Sequence, residues 1–539
     1  MATRPKKQAK IDGASLSALL RRSATLAAFV ALGVAVTAGH RQRVLEDPPA
    51  VPREFRAAWS TPIWDRGLRD WPSVAGLSPD SQRAELRAML DHASAIGLNA
   101  ILLHVRIAGD AMYPTKYAPW SAYLSGTSGQ GPNPSYDPLQ FAVEEAHARG
   151  IQLHAWFNPF RAMMPIFAGK ASSVHVTRTH PEWIRKYGTQ TWIDPGEPAA
   201  RKWVLETFLD VVKRYDVDGI HIDDYFYPYR ESRVVTRRVK RKRVRTRVEI
   251  PFPDDKTWKK YGKPAGFTNR DDWRRANIDD FVKKLYTEVK ALKPTMLVGI
   301  SPFGIWRPGS PPGVYGLDSY AEIFADSRKW LREGWLDYIA PQIYWEVGGE
   351  QDRFRLLDAW WRSENPQGRY IFPGLYTSHV WGGTDPWPMD AIKTQITTLR
   401  NARVGNTDVL GHVHFRLAAL FAESDRLSAT LADTYGERAI PPSYPWLGAA
   451  VPAPPTVDVV RSDGQMQAAS FTVAPGDSTP VRWWLIQTRG RDGVWTTSLR
   501  ARGEGSLGAF AFGTNDPDEI AVTAISPTGM ASSATLIAP

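Results

Sequence analysis

The sequence predicts an α/β protein, a (β/α)8 TIM barrel followed by a C-terminal all-β sandwich. Between Arg53 and about Tyr444, short apolar segments that end in polar or aromatic residues alternate eight times with amphipathic stretches. No glycine-rich phosphate loop opens the first helical stretch, which counts against an open doubly wound sheet. After Pro441-Pro442 the composition shifts to Val, Thr, Ser and Gly in short runs separated by turn residues.

The strand candidates, in order, are Phe55 to Ser60, Ala100 to Arg106, Gln152 to Phe157, Gly219 to Asp224, Leu297 to Pro302, Tyr338 to Tyr344, Ile371 to Tyr376 and His412 to Phe415. Helical patterns fill gaps between them at Asp80 to Ile96, Pro138 to Arg149, Glu197 to Tyr215, Trp273 to Leu292, Asp318 to Glu333 and Asp390 to Arg400. At 539 residues the chain is too long for one compact core, so a large unit with smaller appendages is expected.

Ahead of the barrel, Lys6, Lys7, Lys10, Arg21 and Arg22 precede an apolar run from Ala24 to Ala38, with Val36-Thr37-Ala38 as a small-residue cleavage site. Residues 1–38 therefore read as an export signal, which places the protein in the periplasm, the envelope or outside the cell. Left uncleaved, the same run is a short membrane anchor, and Arg21-Arg22 also suits the twin-arginine route. Residues 39–52 read as a linker and 53–444 as the barrel. Residues 445–455, ending in Val451-Pro452-Ala453-Pro454-Pro455, read as a proline-rich linker. Residues 456–539 read as a fibronectin III-like sandwich acting as a spacer.

The net charge of +11 is concentrated in one place: ten of the eighteen residues from Arg230 to Arg247 are Arg or Lys, interleaved with Val and Thr. This pattern suits a projecting β-hairpin within a basic insertion over 229–250. A charge so localised argues against a nucleic-acid-coating surface, and no nucleic acid partner is expected. The absence of cysteine excludes disulfides, thiolate zinc sites and a cysteine nucleophile. No cofactor or metal is expected. The 22 Trp, 19 Tyr and 20 Phe suit a site that stacks flat rings on the apolar faces of sugars, although large cores use aromatics too.

In a TIM barrel the polar side chains at the C-terminal strand ends surround the substrate. The fourth strand is the richest case. In Asp218-Gly-Ile-His-Ile-Asp-Asp-Tyr225, alternation sets His221 and Asp223 on one face and Ile220 and Ile222 on the other, so Asp223 is expected at the barrel mouth with Asp224 and Tyr225 following. Glycoside hydrolysis needs a carboxylic acid for the leaving oxygen and a second carboxylate as nucleophile, base or cation stabiliser. Adjacent carboxylates also hold different pKa values, because their charges disfavour joint ionisation. Successive strand side chains diverge, however, so a partner acid from another strand end is expected as well: Glu346 after strand six first, then Asp110 after strand two. The candidate substrate contacts are Arg106, Asp110, His154, Trp156, Asn158, Arg161, His221, Tyr225, Trp306, Gln342, Tyr344, Trp345 and Tyr376.

Seven segments carry a resemblance. They are Arg53-Glu-Phe-Arg-Ala-Ala-Trp59, Asn99-Ala-Ile101 leading to Val105-Arg106, Gly109-Asp-Ala-Met-Tyr113, His154-Ala-Trp-Phe-Asn-Pro159, the Asp218 to Tyr225 run, Ile300-Ser-Pro-Phe-Gly304 and Pro341-Gln-Ile-Tyr-Trp345. Over residues 53 to 420 the chain resembles the bacterial glycosyl hydrolase-like 10 family. The resemblance implies a TIM barrel, glycosidase activity and a polysaccharide substrate. Because the family includes an envelope enzyme that cleaves peptidoglycan strands stripped of stem peptides, a similar wall glycan is the first expectation. The basic insertion departs from the family pattern; beside a cleft it would grip an anionic glycan, such as one bearing lactyl carboxylates. Two other readings use the same residues: a non-catalytic carbohydrate binder, and a metal-dependent deacetylase or hydrolase built on His221, Asp223 and Asp224.

Overall fold

The computed structural model describes residues 47–65, 67–239, 242–382, 385–403, 410–421, 426–462, 465–501, 507–512 and 517–537. The expected export signal or anchor over 1–38 lies outside them. No helix among the described residues is long and apolar enough to cross a membrane.

Eight parallel strands form the barrel: β1 (Glu54–Ser60), β2 (Ala100–Arg106), β3 (Gln152–Phe157), β4 (Gly219–Ile222), β5 (Leu297–Ile300), β6 (Tyr338–Ile339), β7 in two stretches (Tyr370–Ile371 and Gly374–Leu375) and β8 (Leu410–His414). The sheet closes because both edges of β7 are used. Its first stretch pairs with β6 and its second with β8, while β8 pairs with β1. The longest α-helix after each strand, among the described residues, is α1 (Pro79–Ala95), α2 (Pro138–Ala148), α3 (Pro198–Arg214), α4 (Arg270–Leu292), α5 (Ser327–Glu333), α6 (Arg353–Ser363), α7 (Ala391–Asn401) and α8 (Arg426–Tyr435).

The helix starts are written in the sequence. Ser78, Asp137 and Asn269 cap α1, α2 and α4 by accepting hydrogen bonds from first-turn N–H groups. The stretch expected as one helix from Asp318 to Glu333 is two, Ser319–Glu322 and Ser327–Glu333. Phe324 adopts φ 57°, which ends the first, and Asp326 caps the second. Helices α6 and α8 lie outside the six helical stretches delimited from the sequence; each buries an apolar stripe, in α6 formed by Phe354, Leu357 and Trp361.

Strand parity sorts the core into two layers. Ile101, Leu103, Ile220, Ile222, Val298 and Ile300 pack outward against the helices. Phe55, Trp59, Leu102, Trp156, Tyr338 and Phe372 fill the barrel axis. Two glycines make room for the larger axial side chains. A Cβ on Gly219 would lie 2.6 Å from His154 Nδ1, and one on Gly299 would lie 2.0 Å from the Tyr338 ring.

The base of the barrel is covered by the last residue of the expected barrel and the first residues of the expected linker. Tyr444 and Trp446 pack on Tyr370, and Trp446 Nε1 donates to Asp337 Oδ1 at 3.0 Å. The described end of the preceding expected linker, from Asp47, is docked too, since Gln487 Nε2 donates to Pro49 O. Beyond this plug, seven strands from Thr456 to Ile537 form antiparallel sheets of three and four strands. They face each other across Phe471, Trp484, Ile486, Ile520 and Val522. The sandwich is no free spacer: Ile440, Trp483, Leu485, Leu499 and Ile525 form a shared apolar cluster, and Arg482 reaches into the barrel.

The basic insertion is a hairpin of Ser232–Val239 and Lys242–Glu249, whose tip at 240–241 lies outside the described residues. It leaves the loop after β4.

Candidate active site

A cleft of about 460 Å³ opens at the C-terminal ends of the strands, and all eight strands or the loops after them contribute to its lining. Its floor is an uncharged hydrogen-bonded relay whose direction follows from one residue. The Trp59 indole can only donate, so at 3.0 Å it fixes His221 Nε2 as an acceptor. The His221 proton then sits on Nδ1, which faces the Tyr338 hydroxyl at 3.0 Å, and that hydroxyl meets His154 Nδ1 at 2.9 Å. Burial pushes both imidazoles below the usual histidine range, His154 to about 4, so the floor is neutral at pH 7.

Above this floor stands Asp223, with the inward parity expected of it. Its Oδ2 accepts from Asn158 Nδ2 at 3.1 Å and its Oδ1 from the Tyr225 N–H at 3.4 Å. Asn158 Nδ2 also lies 3.4 Å from His104 Nε2, and His104 stacks on Trp156 at 3.9 Å and bonds Thr61. The strand-three end is thereby held against the strand-four carboxylate. Burial, and next the charge of Asp224, pushes the Asp223 carboxyl up to about 8. Burial raises Asp224 as well, against the Tyr229 hydroxyl and Gln342, which bond its ionised form. The guanidinium of Arg161, 3.8 Å over the Tyr225 ring, is the cation of the cleft nearest in effect and holds both carboxyls lower than burial alone would. The physical result is a pair that retains a proton at neutral pH.

Of the residues singled out in the sequence, Trp156, Asn158, Arg161, Asp223, Asp224, Tyr225, Gln342, Tyr344 and Tyr376 line this cleft. The others do not. The β2–β3 register slips between His104 and Arg106, which turns Arg106 outward. There it donates to Asn158 O and Pro159 O and lies 5.4 Å over Trp203 of α3. Asp110 folds back on its own loop, accepting from the Ile107 and Ala108 N–H groups. His154 and His221 belong to the relay beneath the cleft. Trp306 donates to Asp326 and stacks on Trp360, and Trp345 packs edge-on against Phe303. Glu346 is half-buried outside the cleft lining.

The sequence reading missed Trp59, Trp64 and Asp65 on the β1 side, Tyr229 after β4, and Phe415 and Arg416 after β8. The strand-end rule applied to β1 and β8 would have found Trp59 and Phe415. Among the described residues, Asp65 is the only carboxylate besides the pair that lines the cleft, and its buried Oδ2 has no hydrogen-bond partner there. Asp65 follows β1, three strands from β4 around the ring, and lines the same cleft as Asp223.

A parallel barrel with aromatic walls and a proton-retaining carboxylate pair at its mouth has the make-up of a retaining or inverting glycosidase. The chain belongs to the glycosyl hydrolase-like 10 family, whose model matches residues 54–384. It is 38% identical over 423 residues to the glycosyl hydrolase YngK of Bacillus subtilis, covering 76% of this chain and 78% of that one. It is 36% identical over 341 residues to the glycosyl hydrolase DigH of Escherichia coli K12, covering 58% and 72%. Among solved structures, the PgaB glycoside hydrolase domain of Bordetella bronchiseptica aligns with TM-score 0.46 and 14% identity, over 71% of this chain and 99% of that one. The protein is therefore a glycoside hydrolase, and the non-catalytic binder reading falls. The metal triad loses its imidazole, because both nitrogens of His221 are engaged by Trp59 and Tyr338.

Proposed function

We propose that the protein is an exported glycosidase acting on a cell-envelope polysaccharide, with peptidoglycan glycan strands as the first candidate substrate. Asp223 is the general acid. The observation that carries this is the Asp223 carboxyl, buried beside Asp224 and pushed up to about 8, so that it keeps its proton at the pH where it must give one away. Asp224 is the neighbour whose charge, when ionised, opposes loss of that proton. Asp223 and Asp224 are successive residues of one strand end and approach the cleft from the same side, so the opposing carboxylate is Asp65, reaching the sugar from the β1 rim, where it activates water or meets the anomeric carbon. Trp59, Trp156 and Tyr376 supply ring faces for sugar packing. The basic residues 6–22 and the apolar run 24–38 support export, with the same run serving as an anchor if it is retained. The seven-strand sandwich is read as fibronectin III-like.

The test is release of new reducing ends from purified glycan strands, intact and stripped of peptides, with products read by mass. Wild-type protein is expected to cut the stripped strands, while Asp223→Asn and Asp65→Asn lose at least about 100-fold in rate. Cleavage by Asp223→Asn at the wild-type rate would remove the assignment.

A further inference from the structure

The hairpin of Ser232–Val239 and Lys242–Glu249 pairs only with itself among the described residues. Two-stranded hairpins without a packing partner are marginal in water. This one is held at its root. Arg230 bonds Glu249 and Ala321 O, the Glu231 N–H donates to Tyr187 Oη, and the Ile250 N–H donates to Glu231 O. Above the root, Arg233, Arg237, Arg243, Arg245 and Arg247 are exposed and form no ion pair among the described residues. The register sets them on both faces of the ribbon. Arg233 and Arg237 share one face with Val235, Val244 and Val248, and Arg243, Arg245 and Arg247 share the other with Val234 and Thr236. Guanidinium groups on both faces leave no continuous apolar face of the kind that settles on a bilayer. They suit a flexible polyanion whose acidic groups can follow either side, and the planar fork of Arg favours carboxylates.

Position links this arm to the cleft. Tyr225 and Tyr229 line the cleft, Tyr229 bonds Asp224, and Arg230 follows directly. Each strand of the arm has eight residues, so it reaches roughly 25 Å from its root, far enough to meet sugar units outside the cleft. We infer that the hairpin is a substrate-binding arm that grips carboxylate-bearing sugar units of the glycan strand beyond the cleft, selecting long acidic chains over short or neutral ones. This rests on the reading of the cleft as a site for envelope glycan.

The experiment compares binding of the full chain to muramic-acid-containing glycan strands with binding to the same strands after carbodiimide amidation, in low and high salt. The triple variant Arg243→Thr, Arg245→Thr, Arg247→Thr is measured alongside. Amidation and the triple substitution are each expected to weaken binding by about tenfold at low salt and to flatten its salt dependence. Amidation leaves the protein untouched, so a folding defect in the variant does not obscure the result. Equal binding of native and amidated strands would overturn the inference. So would arginine-dependent binding that is tighter to phosphatidylglycerol vesicles or to duplex DNA than to the glycan. Reducing-end release from the same strands reads the cleft separately: cleavage without charge dependence removes the arm and keeps the hydrolase, while charge-dependent binding without cleavage does the reverse.

Discussion

One strand of the barrel carries both of its electrostatic regimes. At the base of β4, Asp218 is buried among partners: Arg482 of the sandwich at 2.8 Å, His147 at 2.9 Å and the Leu153 N–H at 2.8 Å. Arg482 and His147 hold its carboxyl well below the usual carboxylate range against the opposing effect of burial. Five residues on, at the mouth, Asp223 is buried too but faces another carboxylate, and its proton is retained. Glu54, at the start of β1, follows the rule of the base, gripped by Arg56 and Arg400 and kept low. At their N-terminal ends β1 and β4 hold buried carboxylates in ion pairs that lock elements together, and at its C-terminal end β4 leaves a carboxylate pair poised for proton transfer.

The largest effect that would break this contrast is at Asp223. Asp223→Asn is expected to lower kcat by about 1,000-fold while thermal stability stays level or rises, because the substitution removes a carboxyl that burial disfavours in its charged form. A large stability loss with modest loss of activity would move Asp223 to the structural side of the comparison. Arg482→Ala is the mirror experiment. It strands Asp218 without its main counter-charge and is expected to cost about 3 kcal/mol in denaturant unfolding, with kcat per folded molecule within about twofold of wild type. An unchanged unfolding midpoint would mean that the sandwich contributes nothing to the barrel.

Titration sharpens the same contrast with opposite signs. Asp223 has a folded pKa of about 8 against about 4 in the unfolded chain. Between those values the native state binds more protons than the unfolded state, so the contribution of Asp223 is fully present below about pH 4 and is lost as pH rises toward 8. The slope is at most about 1.4 kcal/mol per pH unit. Asp218 is depressed, so its contribution is present above the unfolded value and is lost only as pH falls below it. Urea unfolding across pH 5 to 8 is expected to show a downward slope that flattens in Asp223→Asn. Activity is expected to fall as pH rises past about 8, where the acid loses its proton.

How much of this was legible in the sequence depends on whether local rules were enough. All eight strands were, because each is a short apolar run whose parity survives into the closed sheet, as with His221 and Asp223 inward and Ile220 and Ile222 outward. Arg106 was misread because one irregularity in the β2–β3 register reverses its side, and a bulge has no signature in the spacing of apolar residues. Asp65 escaped because it lies five residues past β1 in a loop whose path is fixed by tertiary contacts, among them Arg416 bonding the Thr61 and Ile63 carbonyls. The docking of the sandwich was hidden behind prolines that look like a spacer but deliver Tyr444 and Trp446 into the barrel base.

The smallest effect is expected at Glu346, where the strand-end rule overreached. Strand β6 has two residues, and after Pro341 the chain turns, with the Ile343 N–H donating to Pro341 O at 2.9 Å and Gly374 O at 3.1 Å. Gln342 and Tyr344 use up the stretch that faces the cleft. Trp345 then packs on Phe303, and the Glu346 carbonyl accepts from Gly349 in the following turn. A carboxylate there lies past the mouth, whatever its spacing from the strand suggests. Glu346→Gln is therefore expected to keep kcat within about twofold of wild type, in the range of surface substitutions of about 0.5 kcal/mol. A loss of tenfold or more would bring β6 into the chemistry, and Asp65 would then have to yield the place of the opposing carboxylate.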